Sequence, residues 1–286
     1  MAETKPVGRE QRFRPKKRLS QHFLQDTGII HEIIAQSGFD ESDHVFEIGA
    51  GLGALTLPLS KVVRHITTIE KDAQLADMLG KRLSHAGVDN VNLINDDILA
   101  FDFSKVIDLS LKKIKIIGNL PYNISSPLLE KFIKNRNLVS RAILMFQYEF
   151  ARRLVAPPGN KEYGAMTVLI QYHASLTPLL DVPKEAFYPK PKVDSMVLEL
   201  DLDSPHPRRT EDEETFKMVV KGAFAHRRKT LLNSLKGTLS SRSIDEIVAA
   251  LDSCAIDSTK RAENLDIDDF LCLTSQLTST QLTSLS

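Results

Sequence analysis

The stretch "EIGAGLGAL", residues 47–55, decides the fold class of this 286-residue chain. The apolar run before its glycines, "HVFEIG" (44–49), is typical of a buried strand, and the run after them, "ALTLPLSKVV" (54–63), is typical of a helix. The glycines between them let the chain turn tightly and let a ligand approach bare backbone. The N-terminus of the following helix would favour a phosphate or a carboxylate there. This order predicts the first unit of a ligand-binding α/β sheet.

Strand-like and helix-like runs alternate after this turn. The strand-like runs are "HITTIE" (65–70), "NVNLIN" (90–95), "KIKIIGN" (113–119) and "SRAILMF" (140–146), with helix-like runs at 73–87 and 126–135. An amphipathic helix that ends at Gly38 is predicted before the first strand. Two later runs, "SLTPLLDVP" (175–183) and "VDSMVLELDLD" (193–203), are predicted to complete the sheet as an antiparallel hairpin. The order predicts a mostly parallel sheet with helices on both faces.

The chain is too long for one mid-sized core, so we predict a large domain followed by a small one. A charged linker that contains proline, "DSPHPRRTEDEE" (203–214), precedes a region with helical periodicity only. The predicted segments are a disordered basic arm at 1–18, an α/β domain at 19–204, a small helical domain at 205–278 and a flexible tail at 279–286.

The composition excludes several classes of protein. Hydrophobic residues make up 42% of the chain and charged residues 26%, which is ordinary for a soluble globular protein. No apolar run approaches the roughly 20 residues that span a bilayer, and the polar N-terminus is unlike a secretory signal. Cys254 and Cys272 are interpreted as structural thiols that form neither a disulfide framework nor a metal site, and we expect a reducing cytoplasm.

Basic residues are concentrated in two places, although the net charge of the chain is zero. Residues 1–21 contain seven Lys or Arg against two Glu, and residues 221–242 contain six and no acid. Such patches on a neutral chain suggest a polyanionic partner, while a solvated surface and a disordered tail remain the alternative.

The carboxyl ends of the predicted strands are where a ligand should bind. These ends lie after Glu47, at Glu70, at Asp96–Asp97 and at Asn119. Glu70 could accept hydrogen bonds from ribose hydroxyls. The glycines also satisfy the G-x-G-x-x-G/A dinucleotide pattern, so they leave a nicotinamide or flavin enzyme and an S-adenosylmethionine (SAM) enzyme equally open. Glu47 and the acids at 96–97 favour SAM, with Asp97 accepting from an adenine amine or acting only as a turn acid.

The stretch "GNLPYNISSP" (118–127) presents an unusual set of groups at the end of a strand. Because Pro121 stiffens the backbone and keeps Leu120 extended, the Leu120 carbonyl and the Asn119 side-chain oxygen can form two fixed acceptors. Two such acceptors can bind an –NH₂ group and aim its lone pair at a methyl donor, without a strong base. Tyr122 offers a flat face for stacking on a nucleobase.

The end of this stretch has a purely structural explanation. Ser125 or Ser126 is predicted as the N-cap of the next helix, and Pro127 as its first helical residue.

Eight motifs in order, over nearly the whole chain, resemble the SAM-dependent ribosomal RNA adenine dimethyltransferases, specifically their small-subunit (KsgA-type) branch. The motifs are "RLSQHFLQD", "EIGAGLGALT", "TIEKD", "NDDIL", "GNLPYNISSPLL", "VPKEAFYPKPKVDS", "FAHRRKTLLNSL" and "RAENLDIDDF". The resemblance implies a Rossmann-like SAM-dependent methyltransferase catalytic domain and a small, all-helical, RNA-binding C-terminal domain.

The resemblance also implies a role for each matching residue. In the cofactor site, His22 and Leu24 would close over SAM, and Gly49 and Gly51 would contact its methionine part. Glu70 would bind the ribose, and Asp97 and Ile98 would bind the adenine. Asn119 would border the bound SAM. In the substrate site, Asn119, Leu120, Pro121 and Tyr122 would hold the target adenine, and Phe187 would stack on its other face. Arg227, Arg228 and Lys229 would bind rRNA phosphates.

The implied activity is transfer of two methyl groups to N6 of each of two adjacent adenines in a small-subunit (16S) rRNA hairpin during ribosome biogenesis. We therefore expect a cytoplasmic, monomeric enzyme that uses SAM, needs neither metal nor membrane, and acts on an assembly intermediate of the small ribosomal subunit. Three alternatives remain open: a large-subunit methyltransferase of the macrolide-resistance type, a non-catalytic assembly factor or RNA-binding module on the same fold, and a nucleotide-dependent oxidoreductase, in which Asn-Leu-Pro-Tyr has no evident role.

Overall fold

The computed structural model describes residues 21–105, 113–239 and 242–283. The basic arm predicted at 1–18 lies outside the described residues. The strands are β1 (Phe23–Leu24), β2 (His44–Ile48), β3 (His65–Glu70), β4 (Val91–Asn95), β5 (Ile114–Asn119), β6 (Val139–Gln147), β7 (Ser175–Val182), β8 (Phe187–Tyr188) and β9 (Ser195–Asp201). The helices are α1 (Thr27–Ser37), α2 (Thr56–Leu59), α3 (Ala73–His85), α4 (Ser125–Lys134), α5 (Tyr148–Leu154), α6 (Ala165–His173), α7 (Glu213–Phe224), α8 (Leu231–Thr238), α9 (Ile244–Ser253) and α10 (Ile267–Thr283).

Seven strands form one sheet in the order β4-β3-β2-β5-β6-β9-β7. The first five in this order are parallel, whereas β9 runs antiparallel to both β6 and β7. The predicted fold class, a mostly parallel sheet with an antiparallel end, is therefore confirmed. The strand order reverses between β2 and β5, so the loops that follow these two strands adjoin each other at the carboxyl edge of the sheet.

Both faces of the sheet are buried, which explains the nearly continuous apolar runs of its central strands. Neighbouring residues of β2 face opposite cores. Val45 packs in a core that contains Ile33 of α1, and Phe46 packs in a core that contains Leu128 and Phe132 of α4. This burial on two sides fixes the register of β2 and hence the position of the glycine turn after it.

Helix α2 is shorter than the sequence predicts. A helix was expected over 54–63, but regular α-helix is confined to Thr56–Leu59. Beyond it, the amides of Lys61 and Val62 bond to carbonyls three residues back, so the chain tightens into turns instead of continuing the helix.

The start of α4 also differs from the prediction. The helix begins at Ser125 with Ile124 as its N-cap and no side-chain cap, so Pro127 is its third residue. A 3₁₀ turn at Tyr122–Ile124 runs directly into α4, and the Ser125 hydroxyl donates to the Tyr122 carbonyl (3.2 Å) instead of capping the helix. The turn keeps Tyr122 tied to the rigid start of the helix.

Helices α7–α10 build a second core next to the α/β domain. This core contains Phe216, Leu235, Leu251 and Phe270 together with Tyr172 of α6. Helix α6, which the sequence pattern did not single out, thus joins the predicted domain 205–278 to the sheet. Helix α10 continues to Thr283, past residue 279 where a flexible tail was predicted to begin, and the last buried residue among its described side chains is Leu277.

The two cysteines form a disulfide bond, so the prediction of two unpaired thiols is wrong. Cys254 follows α9 and Cys272 lies in α10, and the packing of these helices brings their Cα atoms to 5.9 Å. A sequence separation of 18 residues gives no sign of this proximity.

Within the described ranges, no helix is both long and apolar enough to cross a membrane. The same ranges contain no group of three or more His, Cys, Asp or Glu side chains placed to hold a metal ion.

Candidate active site

The loops after β2 and β5 share one cavity of about 780 Å³ at the carboxyl edge of the sheet. Its size is that of a site for a nucleotide-sized ligand, which is usually about 300–1,000 Å³. Eleven of the predicted site residues line it: His22, Leu24, Gly49, Gly51, Glu70, Asp97, Ile98, Asn119, Leu120, Pro121 and Tyr122. The four other predicted site residues, Phe187, Arg227, Arg228 and Lys229, do not line it.

The glycine turn after β2 presents backbone to the cavity. Gly49 and Gly51 both have positive φ, 76° and 55°, which side chains rarely adopt. A Cβ atom on Gly51 would lie 3.3 Å from the ring of Phe23, which covers the turn from β1. The Gly51 amide donates to Glu70 Oε2 (2.9 Å), so the turn is fixed to the end of β3.

Glu70 is a buried carboxylate at the end of β3. It accepts hydrogen bonds from the amides of Gly51 and, at 2.8 Å, Asp72. Burial raises the pKa of Glu70, and these two bonds oppose that effect by favouring the ionised form. Each carboxylate oxygen keeps a second lone pair, so the group can still accept hydrogen bonds from ligand hydroxyls.

Asp97 lines the cavity in the turn after β4, two residues beyond the end of that strand. Its Oδ2 pairs with Lys71 Nζ (2.6 Å) and its Oδ1 accepts from the Leu99 amide (3.0 Å). The Lys71 hydrogen bond holds the pKa of this carboxyl below its usual value. Asp97 therefore acts as a turn acid and remains a charged acceptor beside the buried Ile98.

Asn119, at the end of β5, has a defined side-chain orientation. Its Nδ2 donates to the backbone carbonyl of His22 (3.2 Å), which leaves Oδ1 as an acceptor. The preceding Gly118 permits this position, because a Cβ there would lie 2.8 Å from the Ile48 carbonyl oxygen of β2. The close contact between β2 and β5 thus requires glycine at 118.

Leu120 and Pro121 continue the cavity wall. The Leu120 side chain is buried in the core under the sheet, so its backbone is the part available to the cavity. Pro121 has φ −58° and ψ 127°, and its carbonyl accepts from the Ile124 amide (3.1 Å). These constraints fix the backbone that directly follows the Leu120 carbonyl, the second acceptor that the sequence predicts.

Tyr122 is held at both its hydroxyl and its ring. Its Oη lies 3.1 Å from Oγ of Ser195, a buried residue of β9. Its ring lies nearly parallel to the imidazole of His22, with centroids 5.7 Å apart and planes inclined by 25°. Burial raises the pKa of Tyr122, so the phenol stays neutral. The sequence pattern includes Ser195 in a motif but gives no sign of this contact.

Phe187 lies in the core and does not line the cavity. It is 4% exposed and packs in the core beside Leu24, its partner in the two-stranded sheet of β1 and β8. Alternation along β8 turns Phe187 inward, and the ring that the structure places against Tyr122 is that of His22. Stacking of Phe187 on a ligand opposite Tyr122 stays a prediction, and the buried ring would have to become accessible to the cavity for it.

Glu47, which favoured SAM in the sequence, lies behind the cavity wall. It is 1% exposed and accepts a hydrogen bond from the Thr56 hydroxyl (2.6 Å). Burial raises the pKa of Glu47 to about 7. The residue supports the start of α2 and does not line the cavity.

The three basic residues at 227–229 lie in the loop between α7 and α8. Arg227 donates to the Lys161 carbonyl and lies 3.9 Å from Glu263, so it joins the helical unit to the loop before α6. Arg228 and Lys229 are exposed and make no ion pair with any described residue. Two of the three predicted cations are thus available to an external partner.

Comparisons with known proteins identify the family of the chain. The family model described as ribosomal RNA adenine dimethylase matches residues 12–279. The ribosomal RNA small subunit methyltransferase A of Desulforapulum autotrophicum is 41% identical over 273 residues, 95% of each chain. The protein of the same name from Francisella tularensis subsp. novicida is 41% identical over 90% of this chain and 95% of its own.

Two solved structures share the fold over most of the chain. A dimethyladenosine transferase from Plasmodium falciparum superposes with a TM-score of 0.74 at 29% identity, over 90% of this chain and 97% of that one. The 23S rRNA methyltransferase ErmE superposes with a TM-score of 0.67 at 25% identity, over 90% and 99%. From the extent of these matches, the chain belongs to the ribosomal RNA adenine dimethylase family.

Proposed function

We propose that this protein transfers methyl groups from SAM to N6 of adenines in small-subunit ribosomal RNA, giving dimethyladenosine. The observation that carries the proposal is the Asn119 contact. Its Nδ2 is engaged by the His22 carbonyl inside the cavity that also contains the glycine turn, so Oδ1 is directed as an acceptor beside a nucleotide-type site. The small-subunit relatives are also closer to this chain than ErmE, at 41% against 25% identity.

The residues of the cavity fit SAM. The bare backbone of Gly49 and Gly51 lines the cavity and would lie against an amino-acid tail, and a Cβ at Gly51 would meet the Phe23 ring that covers the turn. Glu70 offers carboxylate lone pairs to ribose hydroxyls, and Asp97 offers a charged acceptor to an adenine amine beside the apolar Ile98. Bound SAM would supply an electrophilic methyl group.

The chain itself contributes binding and orientation. Asn119 Oδ1 and the Leu120 carbonyl would accept the two hydrogens of the adenine amine, which turns its lone pair out of the ring plane. That geometry weakens delocalisation into the base and makes the nitrogen a better nucleophile. Neither acceptor can take up a proton, so the proton leaves to water after transfer.

Tyr122 would hold the base itself. The adenine must leave its helix to enter the cavity, and an aromatic face replaces part of the stacking that it loses. The Ser195 and His22 contacts fix the phenol ring in advance, so little side-chain freedom remains to be lost on binding.

The second methyl transfer makes a further demand on the site. A monomethylated amine has one hydrogen left, so one acceptor must tolerate a methyl group at its former hydrogen bond. We assign the retained bond to Asn119, because its orientation is fixed by a side-chain contact, and the methyl group to the side of Leu120.

We propose that the substrate is an assembly intermediate of the small subunit with two adjacent target adenines, and that the protein acts as a cytoplasmic monomer.

A methyl-transfer assay with nucleoside identification tests the proposal. The protein and labelled SAM are incubated with immature small subunits, large subunits or naked rRNA, and the digested RNA is separated into nucleosides. Labelled dimethyladenosine from small subunits alone is the expected result. Label in large subunits would reassign the substrate to that of the ErmE class, and no label with any RNA would overturn the enzymatic function.

A further inference from the structure

Tyr188 is an exposed aromatic side chain that the proposed chemistry does not use. Among the described residues, the large hydrophobic side chains that are exposed are Leu99, Tyr188, Met218 and Ile244. Tyr188 is the only aromatic one among these four and, at 59%, the most exposed. Because most of Tyr188 stays exposed, folding buries little of its ring, which remains open to a binding partner.

The pairing of β1 with β8 places Tyr188 beside the cavity. Phe23 pairs with Tyr188 and Leu24 with Phe187. Directly paired residues project from the same face of a sheet. Leu24 and Phe187 share the core face, and Phe23 lies on the other face, where its ring covers Gly51 in the cavity wall. Tyr188 therefore lies on the cavity side of this small sheet, outside the lining residues.

The backbone on both sides of Tyr188 is fixed to the segment that orients Asn119. On one side, the Gln25 amide donates to the Ala186 carbonyl (2.8 Å). On the other, His22 Nδ1 lies 2.6 Å from the Pro189 carbonyl oxygen, which can only accept, so Nδ1 donates. The ring of Tyr188 is thus presented on a rigid support next to the target-base site.

The residues that follow have the character of a single-strand RNA contact. In "YPKPK" (188–192), Lys190 and Lys192 are exposed, and Lys192 makes no ion pair with a described residue. The two prolines restrict the loop. An aromatic platform followed by cations is how proteins hold unpaired nucleotides, with stacking on the bases and charge on the phosphates.

We propose that Tyr188 stacks on an unpaired nucleobase next to the target adenine, with Lys192 close to the adjoining phosphate. This inference rests on the proposed function and adds a second stacking site outside the cavity. When one base leaves its stack, its neighbour loses a partner, and the Tyr188 ring replaces that partner. The contact stabilises the extruded strand and takes no part in methyl transfer.

Tyr188→Ala, Tyr188→Phe and the matched surface control Ile244→Ala test the inference. Equilibrium binding to fluorescently labelled immature small subunits, the KM for these subunits, kcat and the Kd for SAM are measured for each. Tyr188→Ala is expected to raise the subunit Kd and KM about 5- to 150-fold, which corresponds to about 1–3 kcal/mol of stacking. Tyr188→Phe and Ile244→Ala should bind like the wild type, and kcat and the SAM Kd should not change.

Several results would overturn the inference. Subunit binding by Tyr188→Ala equal to that of the wild type would remove the stacking contact, and an equal loss in Tyr188→Phe would make the hydroxyl the binding group. A fall in kcat alone would place Tyr188 in the chemistry. If the wild type binds subunits but transfers no methyl group, the proposed function fails, while the binding constants still decide the role of Tyr188.

Discussion

Asn119 can act as a defined acceptor because its amide nitrogen is already bonded to the His22 carbonyl. The sequence predicts the residue and its chemistry from the strand-end position and the following proline. It does not predict the partner, since His22 lies 97 residues away along the chain. For Phe187 the sequence predicts an aromatic residue but not where its ring points. The pairing of β8 with β1 turns that ring towards the core. The sequence thus predicts which chemical groups stand at the end of a strand, but not the direction in which a side chain points.

Glu47 gives a pH-dependent prediction at this scale. Its pKa of about 7 in the folded protein is above that of an exposed glutamate, because burial disfavours the charge. The folded state therefore binds the proton more tightly. The resulting stabilisation is complete below about pH 4.3, the ordinary glutamate value, and is lost as the pH rises through about 7.

Glu47→Gln removes this dependence while keeping an acceptor for Thr56. Relative to the wild type, the variant's free energy of unfolding should increase by about 2 kcal/mol between pH 5 and pH 8. Urea unfolding at a series of pH values measures the difference, with the surface variant Glu41→Gln as the control for loss of charge. A difference that stays constant across this range would show that Glu47 is ionised throughout.

At the scale of elements, the strands of the seven-stranded sheet were predictable and the short helices were not. The central strands are nearly continuous apolar runs because both faces of the sheet are covered there, and their alternation with helices along the chain indicates parallel pairing. The extent of α2 and the start of α4 depend on local turns at residues 60–63 and 122–124 that leave no periodic pattern. The two-residue strands β1 and β8 form only because they pair with each other in the folded chain. Their pairing places Phe23 of β1 against the glycine turn.

Gly51→Ala tests the glycine turn as a cofactor cradle. The new Cβ would lie 3.3 Å from the Phe23 ring at a φ of 55°, so both the turn and its cover must shift. We expect the Kd for SAM, measured by calorimetry, to rise at least about tenfold, with about 1–2 kcal/mol lost in stability from the left-handed backbone.

Gly159→Ala is the matched control for backbone strain. Gly159 has a φ of 83°, no atom within 4 Å of an added Cβ, and no place in the cavity wall. It should lose similar stability but keep its affinity for SAM. Equal SAM affinity in both variants would argue against contact between the turn and the cofactor.

At the scale of the whole molecule, the cavity and the proposed phosphate contacts lie on different units of the chain. The cavity lies at the carboxyl edge of the sheet, whereas the cations at 228–229 lie on the loop between α7 and α8. The sequence predicts the cavity from the residues at the strand ends and the cations from the basic patch at 221–242. It does not predict that Arg227 is held by the Lys161 carbonyl, which leaves Arg228 and Lys229 as the two cations without such a contact, nor that Cys254 pairs with Cys272.

Arg228→Glu combined with Lys229→Glu tests this patch as a phosphate contact. Affinity for immature small subunits should fall, and the slope of log K against log salt should become shallower by about two, because two counterion-releasing contacts are lost. Lys81→Glu, on the surface of α3, is the control for a charge change elsewhere. An unchanged slope in the double variant would separate the patch from RNA binding.

Single-turnover methyl transfer by Asn119→Ala, with the SAM Kd measured in parallel, tests the central claim most directly. Loss of the oriented acceptor should slow transfer to adenine N6 at least about 100-fold, as for removal of one preorganised hydrogen-bonding group, while the SAM Kd stays within about threefold. Thermal unfolding of the variant checks that the fold is retained. Transfer at near the wild-type rate by folded Asn119→Ala would contradict the account, because the adenine amine would then need no acceptor at the end of β5.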